Sequence, residues 1–142
     1  MNEWESKAAI REVLGGYSGA AGRLDIDAFI AFFTEDAEIH GIAGLLGQPE
    51  PLQGHAQIAG FFGPSFARLD WLVQINNITD VHLSTDGNSA TASTGLVEMA
   101  KRKDADMLVL IARYDDELRL TDKGWRFTRR TLTPFRFNQV SA

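Results

Sequence analysis

Few side chains in this 142-residue sequence suit proton transfer. It holds three histidines and no cysteine, so thiolate nucleophiles, thiolate metal sites and disulfides are excluded. His40, in "AEIHG", is the first candidate. An imidazole with an unperturbed pKa of about 6.5 serves as a base or a hydrogen-bond donor near neutrality. The competing reading is a partly exposed histidine at a strand end. Glu98 follows "GLV" in a run that otherwise reads apolar. Buried, its carboxyl would have a raised pKa and act as acid or base. Turned outward, it would meet solvent or pair with Arg113 or Arg129. Tyr17 offers a phenol to polarise a substrate oxygen, or else a helix-face aromatic whose hydroxyl reaches the edge of the core. Arg129 and Arg130 are adjacent and point to opposite faces of a strand. One of them, taken as Arg130, lines a pocket or pairs with Glu98, and the other is solvated or at an interface. His82 sits beside Asp80 and Ser84 and reads as surface. His55 reads as exposed, and Asp36 as a structural acid at a strand start. Nothing here has metal-ligand spacing, and the glycines of "GGYSGAAG" lie inside a helical pattern, which rules out a phosphate loop. No metal or other cofactor is expected.

The elements that must position these groups follow from periodicity. Apolar residues recur at helical spacing from Trp4 to Ala21, with Gly22 as the stop. Asp25 caps a second helix, "IDAFIAFF". "TEDAEIHGI" reads as a short strand, and "GLLGQPEPLQG" as a loop with room for one more. "HAQIAGFFGPSFARL" reads as a third helix, disturbed or shortened at Gly63-Pro64. After Asp70 the period changes to two. In "WLVQINNITDVHLS", Trp71, Val73, Ile75, Asn77, Thr79, Val81 and Leu83 share a face. "TDGNS", "KRKDAD" and "LTDKG" are turns that separate this strand from "ATASTGLVEMA", "MLVLIARYDDEL" and "WRFTRRTLTPFRF". The expectation is an α+β domain spanning 1–142, with three helices packed in a strongly curved, mainly antiparallel sheet. The hollow between them is the default ligand site. Its apolar walls are expected from Phe29, Phe33, Phe62, Trp71, Val73 and Leu110.

Composition narrows the partners. A net charge of -5 argues against nucleic acid and against an anionic membrane surface. The polar, acidic start "MNEWESKAAI" is unlike a signal peptide, and no apolar run reaches the ~18 residues of a membrane span. A cytoplasmic location is expected.

"YSGAAGRLDIDAFIAFFTEDAEI", "LQGHAQIAGFF", Asn77, "DGNSATA" and "GWRFTRR" occur in an order that resembles the SnoaL-like polyketide cyclases of the nuclear transport factor two-like superfamily. The resemblance covers almost the whole chain. It implies a cone-shaped α+β barrel of cystatin-like form, a small apolar cyclic or polyketide-like ligand, and a homodimer through the outer sheet face. It implies relatives such as scytalone dehydratase, dehydrochlorinases, ketosteroid isomerases and limonene epoxide hydrolase. It also implies small subunits of ring-hydroxylating dioxygenases, which have a structural role. The dehydratase-like relatives carry Tyr-x-x-x-x-Asp and a histidine on the first long strand. Tyr17 matches the tyrosine, but the acid falls at Gly22 and the histidine at Val73. The ketosteroid isomerase acid falls at Gly41, and the epoxide hydrolase set finds no match. Two readings follow. One is a cofactor-free lyase, isomerase or cyclase using His40, Tyr17 and Glu98. The other is a non-catalytic binding or assembly protein of the same shape.

Overall fold

The computed structural model describes residues 1–141. Helix α1 spans Glu3–Gly22 and opens on a reciprocal cap, in which Asn2 Oδ1 accepts from the Glu5 amide (2.8 Å) and Glu5 Oε2 from the Asn2 amide (3.0 Å). Its buried stripe is Ile10, Val13, Leu14, Tyr17, Ala20 and Ala21, while Trp4 stays exposed. Gly22 is not a left-handed stop. It is the last helical residue, and Leu24 takes the left-handed conformation in the turn (φ 55°). Asp25 then caps α2 through the Ala28 amide (3.1 Å).

Helix α2 covers only Ile26–Ile30, shorter than its periodicity predicts. The sheet takes over: the Phe32 carbonyl accepts from the Phe127 amide (2.8 Å), and Phe33 starts strand β1 (Phe33–His40). Strand β2 (Leu52–Gln53) leads into α3 (Gly54–Ala67). That helix runs on through Gly63-Pro64, where the sequence predicts a disturbance or shortening. Pro64 cannot donate to the Gly60 carbonyl, but Gly60 is exposed, so the lost bond is not forced into the core.

Four long strands follow: β3 (Leu69–Leu83), β4 (Ser89–Arg102), β5 (Met107–Thr121) and β6 (Gly124–Val140). The six strands form one sheet in the order β2-β1-β6-β5-β4-β3. Only β1 and β6 run parallel. The α+β architecture is as expected, but the sheet stays unclosed, with β2 and β3 as its edges. Helix α1 touches both β3 and β6, and α3 touches β1, so the sheet must curl around the helices.

The first long strand faces the opposite way from its hydrophobic pattern. Trp71, Val73 and Ile75 lie outside, exposed by 41%, 46% and 57%. Leu72, Gln74, Asn76 and Ile78 turn toward the helices. A bulge between Ile78 and Asp80 then shifts the alternation, so that Val81 is buried. The pattern misled because the outer face is the more apolar one here, and the inner face carries amides. On β4 and β5 the even-numbered residues face inward, among them Ala92, Leu96, Ala100, Leu110, Ala112, Tyr114 and Leu118.

Candidate functional site

A cavity of about 780 Å³ opens between α3, the 42–51 loop and the inner face of β3–β5. Its walls are apolar and include Phe29, Phe61, Phe62, Phe66, Leu72 and Leu110. Among its polar groups are Tyr17 from α1, Gln74 from β3, Glu98 from β4 and Tyr114 from β5, while Gln48, Gln57, Ser65, Arg68 and Arg102 also border it. Glu50 holds the loop in place, its two carboxylate oxygens accepting from the amides of Gly41 (3.1 Å) and Gly44 (2.7 Å).

Glu98 faces inward, opposite Gln74 in the β3–β4 ladder, and does not pair with Arg113 or Arg129. Protein encloses it, and the surface it retains opens on the cavity. Gln74 Nε2 donates to Glu98 Oε1 (2.8 Å). Behind Gln74 stands a polar chain: Ser18 Oγ donates to Gln74 Oε1 (2.8 Å), and Asn76 Nδ2 donates to Ser18 Oγ. Burial raises the Glu98 pKa above the usual carboxylate value, and the hydrogen bond from Gln74 partly offsets this. The arrangement therefore holds a single carboxyl in an apolar cavity with one oxygen fixed and the other available.

Tyr17 and Tyr114 are both buried, with rings 6.3 Å apart and nearly perpendicular. Burial pushes the Tyr17 phenol up to about 12, against the pull of the Arg130 charge, so it is a neutral donor at pH 7. Burial likewise takes Tyr114 well above its ordinary value. Behind them lies Arg130, 2% exposed. Its guanidinium sits over the rings of Tyr114 (3.7 Å), Tyr17 (4.3 Å) and Phe127 (4.3 Å), an arrangement that attracts a cation to the ring faces. Its Nε and Nη2 donate to the two oxygens of Asp116, at 2.7 and 3.1 Å. Burial opposes the Arg130 charge, but Asp116 outweighs it and keeps the guanidinium protonated.

The structure thus sorts the expected site residues. Tyr17, Glu98, Phe29, Phe62 and Leu110 line the cavity. Phe33 does not, being packed in the core against Phe127 and Tyr17. Trp71 and Val73 lie on the outer sheet face. Arg130 supports the tyrosines from behind and pairs with Asp116 in place of Glu98. His40 is also outside the lining. It shares a face of β1 with Glu38, 3.4 Å away, while Ala37 and Ile39 point into the core. His82 is exposed as read, but His55 is half-buried, its ring bonded to the Phe33 carbonyl (2.9 Å). Gln74, Ser18, Asn76 and Tyr114 escaped sequence reading. Polar residues in an otherwise apolar β3 were the only signal for two of them.

The sequence model of the SnoaL-like domain matches residues 2–131. The chain belongs to that family. A search of the curated proteins finds no match. Among solved structures, a candidate aromatic ring hydroxylase from Novosphingobium aromaticivorans is 29% identical, with a TM-score of 0.82, covering 99% of this chain and 96% of that one. A candidate scytalone dehydratase from the same organism is 17% identical, with a TM-score of 0.82 and 96% and 88% covered. A ketosteroid isomerase-like protein from Erwinia carotovora atroseptica is 22% identical, with a TM-score of 0.76 and 96% and 99% covered. A neighbour from Novosphingobium aromaticivorans, 20% identical, is described as having a cystatin-like fold.

This SnoaL-like domain lacks the acid-histidine pair that its resemblance to the dehydratases implies. Val73 points outward, and its inward neighbours on β3 are Leu72 and Gln74, neither of them a histidine. A Cβ on Gly22 would lie 3.6 Å from the Leu72 carbonyl oxygen, so the two positions still adjoin with no ionisable group at either. An acid at position 41 is excluded sterically. Gly41 has φ 89°, and a Cβ there would lie 2.1 Å from the Leu132 carbonyl oxygen.

Proposed function

We propose that this SnoaL-like domain is a cofactor-free proton-transfer enzyme of the isomerase or dehydratase kind. Its substrate would be a small cyclic ketone or polyketide-like compound. The observation that carries the reading is the Glu98 carboxyl, the one acid in the lining among the described residues, facing the same cavity as the Tyr17 and Tyr114 phenols. Glu98 takes a proton from the carbon next to a substrate carbonyl. The C–H electron pair moves to the carbonyl oxygen, where the tyrosines donate hydrogen bonds to the developing enolate. The buried Arg130 charge behind the rings favours that negative charge. Returning the proton at another carbon completes an isomerisation, and loss of a β-hydroxyl as water completes a dehydration. Excluding water strengthens these few contacts. Dehydratase- and isomerase-like neighbours of the same fold support the class of chemistry. His40, outside the cavity lining, takes no part in this step.

The test is deuterium exchange next to the carbonyl of a panel of cyclic ketones in D2O, followed by NMR. Wild-type protein accelerates exchange of at least one ketone, and Glu98→Gln slows it by about 10²–10⁴-fold. A wild-type protein without effect on any ketone it binds would leave a binding shell and sink the enzyme reading.

A further inference from the structure

Two guanidinium groups at the cavity mouth have no role in proton transfer. Arg68, just past the end of α3, is exposed, and Arg102, at the end of β4, is half-exposed. Both line the cavity. Their backbones adjoin: Leu69 is the ladder partner of Arg102, and the Lys103 amide donates to the Arg68 carbonyl (2.8 Å). Arg102 spends its Nε on the Asp106 carbonyl (3.2 Å), leaving the outer nitrogens free. Asp70, Asp104 and Asp106 are close in sequence, yet among the described residues no carboxylate forms a salt bridge with either arginine. Glu98 is the only acid in the lining, and it lies deeper, hydrogen-bonded to Gln74. In a chain of net charge -5, this mouth is locally cationic.

We infer that the substrate carries a carboxylate, which docks between Arg68 and Arg102 while its apolar, ring-bearing body reaches inward to Glu98 and the tyrosines. Planar guanidinium forks suit a carboxylate. A phosphate fits less well, because no glycine loop or nest of amides accompanies the arginines. Glu98 and Arg102 lie on the same face of β4, four residues and thus ~13 Å apart along the strand. A ligand about two fused rings long, with its carboxylate and a hydrogen bond at each end, bridges that span. This inference rests on the cavity being the substrate site.

The probes are 2-naphthol and 6-hydroxy-2-naphthoate, one ring body without and with a carboxylate. Binding is measured by calorimetry at pH 7 in wild type, in Arg68→Ala, and in Arg68→Ala/Arg102→Ala. The naphthoate binds wild type at least 10-fold more tightly, and the advantage shrinks with added salt. The double variant brings the two ligands to parity while naphthol still binds, which also reports an intact cavity. Arg68→Ala, whose side chain is exposed, loses part of the preference without risk to the fold. Equal wild-type affinities, or a preference that survives in the double variant, overturn the inference. If neither compound binds, the inference and the cavity reading fall together. A clear carboxylate preference in a protein with no exchange activity upholds the anion site and sinks only the proton-transfer reading.

Discussion

At the scale of the residue, the unusual group is Glu98. Burial favours its neutral form, so its folded pKa stands above the unfolded value. The folded protein therefore binds this proton more tightly than the unfolded chain does. The stability this confers is present below the unfolded value, falls as pH rises through the folded one, and is gone above it. Glu98→Gln removes the dependence, since a glutamine oxygen still accepts from Gln74 Nε2. Urea melts should show the variant gaining on wild type between pH 4 and pH 8, with near parity at the acid end. A constant difference across that range would mean that Glu98 is not desolvated. Arg130 presents the opposite case, a buried charge that already has its partner. Arg130→Met would leave the Asp116 carboxyl buried without its partner, costing about 3–5 kcal/mol, and Asp116→Leu in the same protein should recover much of it. Chemical denaturation of the single and double variants checks both. Of these residues, sequence singled out Glu98 and Tyr17 because an acid and a phenol stand out in apolar runs. It could not show Arg130 turning away from Glu98, since the choice of partner depends on strand register.

At the scale of the element, two glycines that sequence reading marked as empty catalytic positions behave differently. Gly22 ends α1 with a helical backbone, and an added Cβ would make only ordinary contact with Leu72. Gly22→Ala should stabilise the protein by about 0.5–1 kcal/mol, the usual gain on replacing a helical glycine. Gly41 joins β1 to the cavity loop with a positive φ and no space for a Cβ beside β6. Gly41→Ala should cost more than about 2 kcal/mol, because strain and overlap add. Thermal melts of the pair should move in opposite directions. The three helices and the four hairpin-linked long strands followed from periodicity and turn chemistry, whereas the place of β1 beside β6 did not. The end of α2 did not, because β6 captures the Phe32 carbonyl and pulls the next residue into the sheet. The face of β3 was also misread, because Trp71, Val73 and Ile75 are more apolar than the amides opposite them.

At the scale of the molecule, that misreading exposes a further requirement. Trp71, Val73 and Ile75 on β3, Ile111 on β5 and Phe135 on β6 leave large apolar side chains on the outer sheet face, from 41% to 62% exposed. Ile75 pairs with Val97 and Val97 with Ile111 across the ladder, which makes the patch continuous over three strands. An exposed apolar patch of that extent marks an interface. We propose that a second copy of the chain covers it, as the resemblance implies for this family. A two-fold contact sets the same patch against itself, so its energy scales with paired burial of these side chains. Two glutamates placed at its centre would then meet their own copies across the axis. Ile75→Glu/Ile111→Glu should convert a dimer into a monomer in sedimentation at micromolar concentration. The inner face is untouched, so the monomer should keep the ligand affinity of the cavity while its melting point stops rising with concentration. A wild-type protein that sediments as a monomer at every concentration would end the proposal. A variant that loses ligand binding along with the dimer would show that the outer face also holds the cavity in shape.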